Sequence, residues 1–182
     1  GVVLKSAQAM DREYRVMLAL ENTDVPVPRV HHLCTDDTVI GSWFYLMEYV
    51  DGTVFSDPAL PGLTFMQRKR VYDEANRVLA AIHTVDIDSN DLGDFGSTGN
   101  YYERQVSRWT KQYRFSETCV VEPMEQLMDW LPKNIPIDDG LTSLIHGDFR
   151  LDNIIFNRDN FEAIAVLDWE LSTLGHPIAD LA

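Results

Sequence analysis

The chain has 182 residues, 45% of them hydrophobic and 24% charged, the balance of an ordinary globular protein with one domain or two small lobes. Its formal net charge is −14, from 29 acidic and 15 basic residues. That charge argues against nucleic acid and an anionic membrane surface as partners, because both require surfaces rich in Lys and Arg. It is compatible with a cationic substrate, although an acidic surface also serves solubility alone.

The number of cysteines and the hydropathy of the sequence limit the cellular compartments that we expect for this protein. The two cysteines, Cys34 and Cys119, lie far apart and in no metal-ligand spacing, so no disulfide framework is expected. We expect a cytoplasmic protein or, in a eukaryote, a mitochondrial or peroxisomal one. No apolar run approaches the ~20 residues of a membrane helix. The chain starts at Gly1 and stops at "HPIADLA" without a helix end, so both ends are expected to be cut.

The first predicted element is a helix over residues 6–20. Glu13, Val16, Met17 and Leu20 recur at the i, i+3, i+4, i+7 spacing that places side chains on one helix face. Two prolines soon after this face favour an extended chain. The pattern therefore predicts an amphipathic helix that packs on a core and is followed by extended structure.

Two strands and a connection are predicted next. The sequences "RVHHLC" and "GSWFYLMEYV" are rich in β-branched and aromatic residues, as strands are. The following "VDGTVFSDPALPG" is rich in Gly, Pro and Asp, which favour turns. This connection is the best place for a boundary between two lobes.

Beyond the connection the sequence becomes helical. A long helix is predicted over residues 64–83, with a continuous apolar stripe. Two shorter helices are predicted, one marked by Tyr102, Val106, Trp109 and Tyr113 and one ended by Pro132. The aromatic side chains are interpreted as core or helix contacts rather than a binding platform; they are Trp109, Tyr113 and Trp130.

The stretch "LIHGDFRLDNIIF" sets charged and amide side chains between apolar runs, where charge is costly unless it has a partner or a function. "NIIF" and "FEAIAVLD" predict a β-hairpin around the turn "NRDN". The hairpin brings Asn153 and Asp168 to one end, beside the loop that contains Asp148. Two carboxylates and an amide oxygen suit Mg²⁺ when phosphates supply its other ligands. Zinc is a poor candidate, because no Cys or His cluster is near.

These residues carry a family resemblance. "HGDFRLDN" followed by "LDWE" resembles the catalytic loop and metal-binding motif of the protein-kinase-like superfamily. "DREYRVM" and "LDWELSTLGHPIADLA" resemble its aminoglycoside phosphotransferase and choline kinase-like branch, especially the phosphotransferase domain fused to some acyl-CoA dehydrogenases. The resemblance covers essentially the whole chain. It implies an α+β two-lobe fold with a catalytic β-hairpin: a partial N-terminal lobe over residues 1–47, a hinge over 48–52, and a mainly helical, truncated C-terminal lobe over 53–182.

The resemblance also implies catalytic and metal-binding roles. Asp148 matches the catalytic aspartate that accepts or orients the proton of the attacking hydroxyl. Asn153 and Asp168 match the two side chains that hold Mg²⁺ against the ATP phosphates. Arg150 stands where protein kinases carry a lysine near the transferred phosphoryl group; a surface salt bridge is the equally open reading. His146 is interpreted as structural.

Nucleotide binding is implied by a second group of residues. In the "LMEYV" hinge, the Glu48 carbonyl and the Val50 amide would hold adenine, and Met47 would lie behind the purine. Glu13 matches the helix glutamate that pairs with the phosphate-binding lysine. That lysine and a glycine-rich phosphate loop are missing here, since we place Lys5 in a loop before the helix. Glu13 would then be a solvated helix residue.

The leading prediction is therefore an ATP-dependent phosphotransferase that acts on a small-molecule hydroxyl with Mg²⁺. A hydroxylated acyl-CoA is implied by resemblance, while the net charge favours an aminoglycoside-like or choline-like acceptor. A fused acyl-CoA dehydrogenase domain in the parent protein is also implied. Two alternatives stay open: a non-catalytic kinase-like nucleotide-binding or interaction domain, and a Mg²⁺-dependent phosphohydrolase. Asp180 is interpreted as an anchor for the backbone of the catalytic loop.

Overall fold

The computed structural model describes the backbone of residues 2–181 and the side chains of residues 10–181. The helices in this part of the chain are α1 (Val2–Leu20), α2 (Phe65–His83), α3 (Tyr101–Ser116) and α4 (Glu122–Trp130). The strands are β1 (Val30–Cys34), β2 (Phe44–Met47), β3 (Ser143–Ile145), β4 (Ile154–Phe156), β5 (Ala163–Val166) and β6 (Thr173–Gly175). Short 3₁₀ helices cover Leu131–Lys133, Leu151–Asn153, Trp169–Leu171 and Pro177–Leu181. Within the described residues, no helix has both the length and the hydropathy needed to cross a bilayer.

Helix α1 and the first two strands form the N-terminal part of the fold. Strands β1 and β2 pair antiparallel, and α1 packs against both strands and against the Trp169–Leu171 turn. Val16, Met17 and Leu20 are buried on the predicted face. The helix begins at Val2, so Lys5 lies within it and not in a preceding loop, which corrects the sequence-based placement.

Helix α2 links the two halves of the core. Thr64 caps it, and the Gln67 side chain completes a reciprocal capping box with the Thr64 backbone. Glu74 is buried on the face of α2 that packs on the core. It pairs with Arg77 and accepts a 3.3 Å hydrogen bond from the Ala163 amide of β5. The remaining buried side chains form the predicted apolar stripe; they are Val71, Ala75, Val78, Leu79 and Ile82.

Two short antiparallel sheets support the polar loop. The predicted hairpin is β4 paired with β5, and its edge forms a β-bridge between Phe156 and Thr53, just after the expected hinge. Strand β3 pairs with β6. The sequence did not predict β6, because a strand of three residues is too short to show an alternation of apolar and polar side chains. The core lies between these sheets, α1 and α2, and its largest buried side chain is Trp169.

Helices α3 and α4 lie on the surface, and no side chain of either is fully buried. Trp109 and Trp130 are 56% and 57% exposed, so their interpretation as core contacts is wrong. The apolar stripe of α3 is real, since Tyr102, Val106 and Tyr113 are half-buried. Trp109 stands at the edge of that stripe and faces a cavity.

Candidate active site

The loop after β3 is fixed by a buried histidine. His146 is fully buried; its Nε2 lies 3.0 Å from the Leu167 carbonyl oxygen, and its Nδ1 accepts a 3.3 Å hydrogen bond from the Asp148 amide. This network assigns the neutral Nε2–H tautomer. Burial lowers the pKa of His146, which favours the same neutral form. His146 is therefore a structural residue that orients the backbone beside Asp148, as predicted.

A second anchor comes from the last 3₁₀ turn. The Asp180 carboxylate is completely buried and accepts hydrogen bonds from the His146 amide at 2.9 Å and the Gly147 amide at 2.7 Å. His83 of α2 lies 2.9 Å from the same carboxylate. Burial opposes ionisation, but these bonds outweigh it and hold the pKa of Asp180 below its ordinary value. The contacts agree with the predicted anchoring role.

Gly147 is required at its position for two reasons. Its φ is +86°, in the left-handed region that favours glycine. A Cβ atom there would stand 2.7 Å from the carbonyl oxygen of Leu171. The loop after β3 can therefore lie this close to the Trp169–Leu171 turn only with glycine at residue 147.

Asp148 and Asn153 are in direct contact across the loop. The Asn153 Nδ2 donates hydrogen bonds to the backbone oxygen of Asp148 at 2.9 Å and to its Oδ2 at 3.2 Å. These bonds turn the amide nitrogen toward Asp148. No described group donates to the Asn153 Oδ1, so that oxygen is available as a ligand. Half-buried Asp148 thus keeps its carboxylate beside an amide that holds its orientation.

Asp168 lies at the same end of the hairpin as Asn153. The Leu167 amide donates a 2.8 Å hydrogen bond to the Asn153 carbonyl, which ties the two strand ends together. Asp168 itself is exposed and has φ +66°, a conformation that non-glycine residues adopt rarely and often at functional sites. The predicted convergence of Asp148, Asn153 and Asp168 at one end of the hairpin is therefore seen in the structure.

The donor set suits Mg²⁺ better than a metal held by protein side chains alone. Within residues 10–181, no three His, Cys, Asp or Glu side chains are close enough to hold a metal ion together. Asn153 and Asp168 offer hard oxygen atoms, and phosphate oxygens and water usually complete the octahedron of Mg²⁺. The metal-binding roles of these two residues remain a prediction.

Arg150 forms an ion pair with Asp152 through both the Nε and the Nη2 atoms. The pair is exposed, and the hydrogen bonds that Arg150 donates to Asp152 raise the pKa of Arg150. The structure thus shows the salt bridge that was one of the two readings of this residue. A contact with the transferred phosphoryl group remains a prediction.

Glu13 is not the solvated residue that the missing lysine had suggested. It is 7% exposed, and the Tyr45 hydroxyl donates a 2.9 Å hydrogen bond to its Oε2. No described Lys or Arg forms an ion pair with it. Burial raises the pKa of Glu13, and the nearby carboxylates of Asp168 and Glu170 raise it further. The helix face of α1 therefore presents a buried acid toward the predicted metal site.

The predicted hinge leaves its backbone groups available. The Glu48 amide donates to the Arg29 carbonyl at 2.8 Å, but no described group bonds the Glu48 carbonyl or the Val50 amide. Met47 is 43% exposed, although its side chain is large and apolar. These are the features expected where a purine would dock, but adenine binding by Met47, Glu48 and Val50 remains a prediction.

A cavity of about 540 Å³ adjoins the catalytic loop and was not predicted. Its walls come from α1, α3, Gly147 and the turn after Asp168. Arg12, Arg104 and Arg108 line it. The available signal was the i, i+4 spacing of Arg104 and Arg108 on a predicted helix, which is too common to identify a site.

Known proteins resemble this chain over its whole length. A family model described as "Phosphotransferase enzyme family" matches residues 3–182. Acyl-CoA dehydrogenase family member 10 of Mus musculus is 52% identical over 182 residues, which are 100% of this chain and 17% of that protein. Acyl-CoA dehydrogenase family member 11 of Homo sapiens is 46% identical, again over 100% of this chain but 23% of that protein. The chain thus spans about a fifth of the length of these curated relatives.

Solved structures share the fold. A Ralstonia eutropha JMP134 protein, described as a candidate aminoglycoside phosphotransferase, is 56% identical with a TM-score of 0.90. That match covers 95% of this chain and 53% of the other. The streptomycin–ATP complex of APH(2'')-IIa matches with a TM-score of 0.67 at 22% identity, over 96% of this chain and 58% of the other. The predicted kinase-like α+β fold is confirmed, and the chain belongs to the phosphotransferase enzyme family.

Proposed function

We propose that this chain forms the Mg²⁺ and base part of the active site of an ATP-dependent kinase for a small-molecule hydroxyl. The observation that carries the proposal is the placement of Asp148, Asn153 and Asp168 at one end of the β4–β5 hairpin, with Asn153 bonded to Asp148. The Thr53–Phe156 bridge attaches the chain just after the predicted hinge to the same hairpin. A nucleotide held at the hinge would therefore point its phosphates toward these three residues.

The proposed reaction is an in-line phosphoryl transfer. The acceptor oxygen forms a bond to the γ-phosphorus of ATP, the bond between that phosphorus and the bridging β–γ oxygen breaks, and ADP leaves. Asp148 accepts or orients the proton of the hydroxyl, and Asn153 holds the Asp148 carboxylate in place. Mg²⁺, when bound by Asn153 and Asp168, supplies neutralisation of the phosphate charge. The chain's main contribution is positioning, which is worth several orders of magnitude in rate.

Glu13 supports a kinase rather than a phosphohydrolase. Its burial against Tyr45, near enough to Asp168 for the two carboxylates to interact electrostatically, is the arrangement expected of a helix that orders a nucleotide site. A metal-dependent hydrolase would need neither this helix nor the unbonded hinge atoms of Glu48 and Val50. For this reason the phosphotransferase is preferred.

The names of the relatives suggest the context of the reaction. Two curated relatives are acyl-CoA dehydrogenase family members, and each is about four to six times as long as this chain. We therefore propose a parent protein in which this domain is fused to an acyl-CoA dehydrogenase, with a hydroxylated acyl group as one candidate acceptor. Aminoglycosides are the other candidate class, since related structures carry that description.

Calorimetric titration with ATP, with and without Mg²⁺, tests the nucleotide half of the proposal. We expect binding that depends on Mg²⁺, and we expect Asp168→Asn to weaken binding of Mg·ATP much more than binding of metal-free ADP. Asp73→Asn is the matched control, because it removes the same charge from an exposed carboxylate that pairs with Lys69 on α2. Equal losses for both ligands would remove Asp168 from the metal site. Mg·ATP binding without transfer to any acceptor by the full-length protein would favour the non-catalytic alternative.

A further inference from the structure

The cavity beside the catalytic loop has a charge opposite to that of the chain. Acidic residues outnumber basic ones 29 to 15 over the whole sequence. Among the described residues that line the cavity, three are arginines and Glu170 is the one acid. A surface that only served solubility would follow the overall balance. The reversal is local, and it lies next to Gly147, the residue before the proposed base.

The three arginines differ in how much of their hydrogen-bonding capacity is in use. Arg12 is committed to the fold: its Nη2 donates to the carbonyls of Phe95 and Ser172, each at 2.9 Å, and its guanidinium lies 4.2 Å from the Phe95 ring centroid. Arg104 donates to two loop carbonyls through its Nη atoms. Arg108 has no hydrogen bond or ion pair with any described residue.

Arg108 is nevertheless held near the cavity. Its guanidinium carbon lies 5.7 Å from the centroid of the Trp109 ring, within range of a cation–π contact. Arg104 lies one helical turn earlier and on the same face of α3. Both donate from planar groups that match the two oxygen atoms of a carboxylate or the oxygens of a phosphate. Trp109 and Tyr101 add flat apolar walls for the body of a ligand.

We infer that this cavity is the acceptor site and that it selects an acceptor with an anionic group, a carboxylate or a phosphate, bound by Arg108 with Arg104. The acceptor hydroxyl then reaches past Gly147 to Asp148. This inference rests on the proposed kinase function and gives it a substrate class. It reverses the expectation from net charge, because a cationic acceptor such as choline would meet three arginines and one carboxylate.

Paired acceptors that do and do not carry one anionic group test the inference in the full-length protein. The assay measures ATP-dependent phosphorylation of two pairs of acceptors. Hydroxybutyrate is compared with its methyl ester, and phosphopantetheine is compared with pantetheine. Choline is assayed as a cationic acceptor. The first pair reports on a carboxylate and the second on a phosphate. We expect at least one anionic member to have a KM about tenfold lower than its neutral partner, and choline to be the poorest acceptor.

Two variants assign the effect to the cavity. Arg108→Gln should raise the KM of the preferred anionic acceptor about tenfold, leave its neutral partner unchanged, and leave the KM of ATP unchanged. Arg104→Gln should have the same direction and a smaller effect. Lys69→Gln, which removes a positive charge from an exposed pair with Asp73 on α2, is the control and should change none of these values.

The outcomes separate this inference from the proposed function. Phosphorylation that prefers neutral acceptors or choline, or equal losses for both members of a pair in Arg108→Gln, would overturn the anionic site and keep the kinase. If no acceptor is phosphorylated, calorimetry with phosphopantetheine and hydroxybutyrate decides. Binding that is lost in Arg108→Gln would keep the anion site while the kinase fails, and no binding to the wild-type protein would overturn both.

Discussion

The catalytic loop and helix α3 face the same cavity but use their polar groups in opposite ways. In the loop, the amides of His146 and Gly147 bind Asp180, and the Asn153 amide binds Asp148. On α3, exposed Arg108 makes no hydrogen bond or ion pair with a described residue, and its guanidinium contacts only the Trp109 ring. The loop is thus ordered before any ligand arrives, whereas the helix keeps its binding capacity for a ligand. Preorganised groups suit the chemical step, and adaptable side chains suit recognition.

The contrast predicts its largest effect at the ordered base. Asp148→Asn keeps an oxygen for the Asn153 bond but cannot accept a proton. We expect kcat to fall by about 10²–10⁴-fold, with the affinity for Mg·ATP changed by less than about twofold. Asp73→Asn, in an exposed pair with Lys69 on α2, should retain turnover. Turnover that survives in Asp148→Asn would show that the ordered loop serves something other than proton transfer.

A backbone change should disrupt the loop without touching a polar side chain. Gly147→Ala combines a positive φ with a Cβ that would lie 2.7 Å from the Leu171 oxygen, and we expect a loss of about 3 kcal/mol in the free energy of unfolding. Gly41→Ala is the matched control: φ is +91° but no atom lies within 4 Å, so we expect about 1 kcal/mol. Urea unfolding measures both. Equal losses would mean that the close approach to Leu171 is not what makes glycine necessary.

Arg12 lines the cavity, but its hydrogen bonds are used to hold the fold together, as those of the ordered loop are. Arg12→Lys keeps the charge but cannot reach both the Phe95 and Ser172 carbonyls, so we expect a loss of about 1–2 kcal/mol in stability. Arg15→Lys, one helical turn away and exposed, should cost less than about 0.5 kcal/mol. Thermal unfolding measures the pair. A loss in Arg12→Lys no larger than that in Arg15→Lys would place Arg12 with the arginines proposed to bind the acceptor instead.

The smallest expected effect depends on pH and concerns Glu13. Its folded-state pKa is raised by burial above the ordinary value of 4.5, so the ionised carboxylate costs stability at neutral pH. Glu13→Gln keeps an acceptor for Tyr45 and should stabilise this chain at pH 7. The gain should shrink as pH falls through the folded-state pKa and vanish near the ordinary value. A loss of stability at pH 7 would reveal a cation paired with Glu13.

The sequence predicted the elements whose signals are local and periodic. The stripe of α2, and the β4–β5 hairpin with its polar end, follow from spacing and turn chemistry alone. Strand β6 was missed because it exists only through pairing with distant β3. The burial of Glu13 was missed because it depends on Tyr45, 32 residues away. Trp109 was misassigned because helical spacing shows which side chains share a face, not whether another element covers it.

The position of Asp180 late in the sequence affects when the loop after β3 can become ordered during synthesis. Asp180 holds the catalytic loop 34 residues earlier in the chain and contacts His83, 97 residues earlier. A chain emerging from the ribosome has therefore completed α2, the loop and the hairpin before the residue that locks the loop is made. Contacts this distant in sequence form late, after the local helices and turns. The loop is therefore fixed in this geometry only after the chain has been made as far as Asp180.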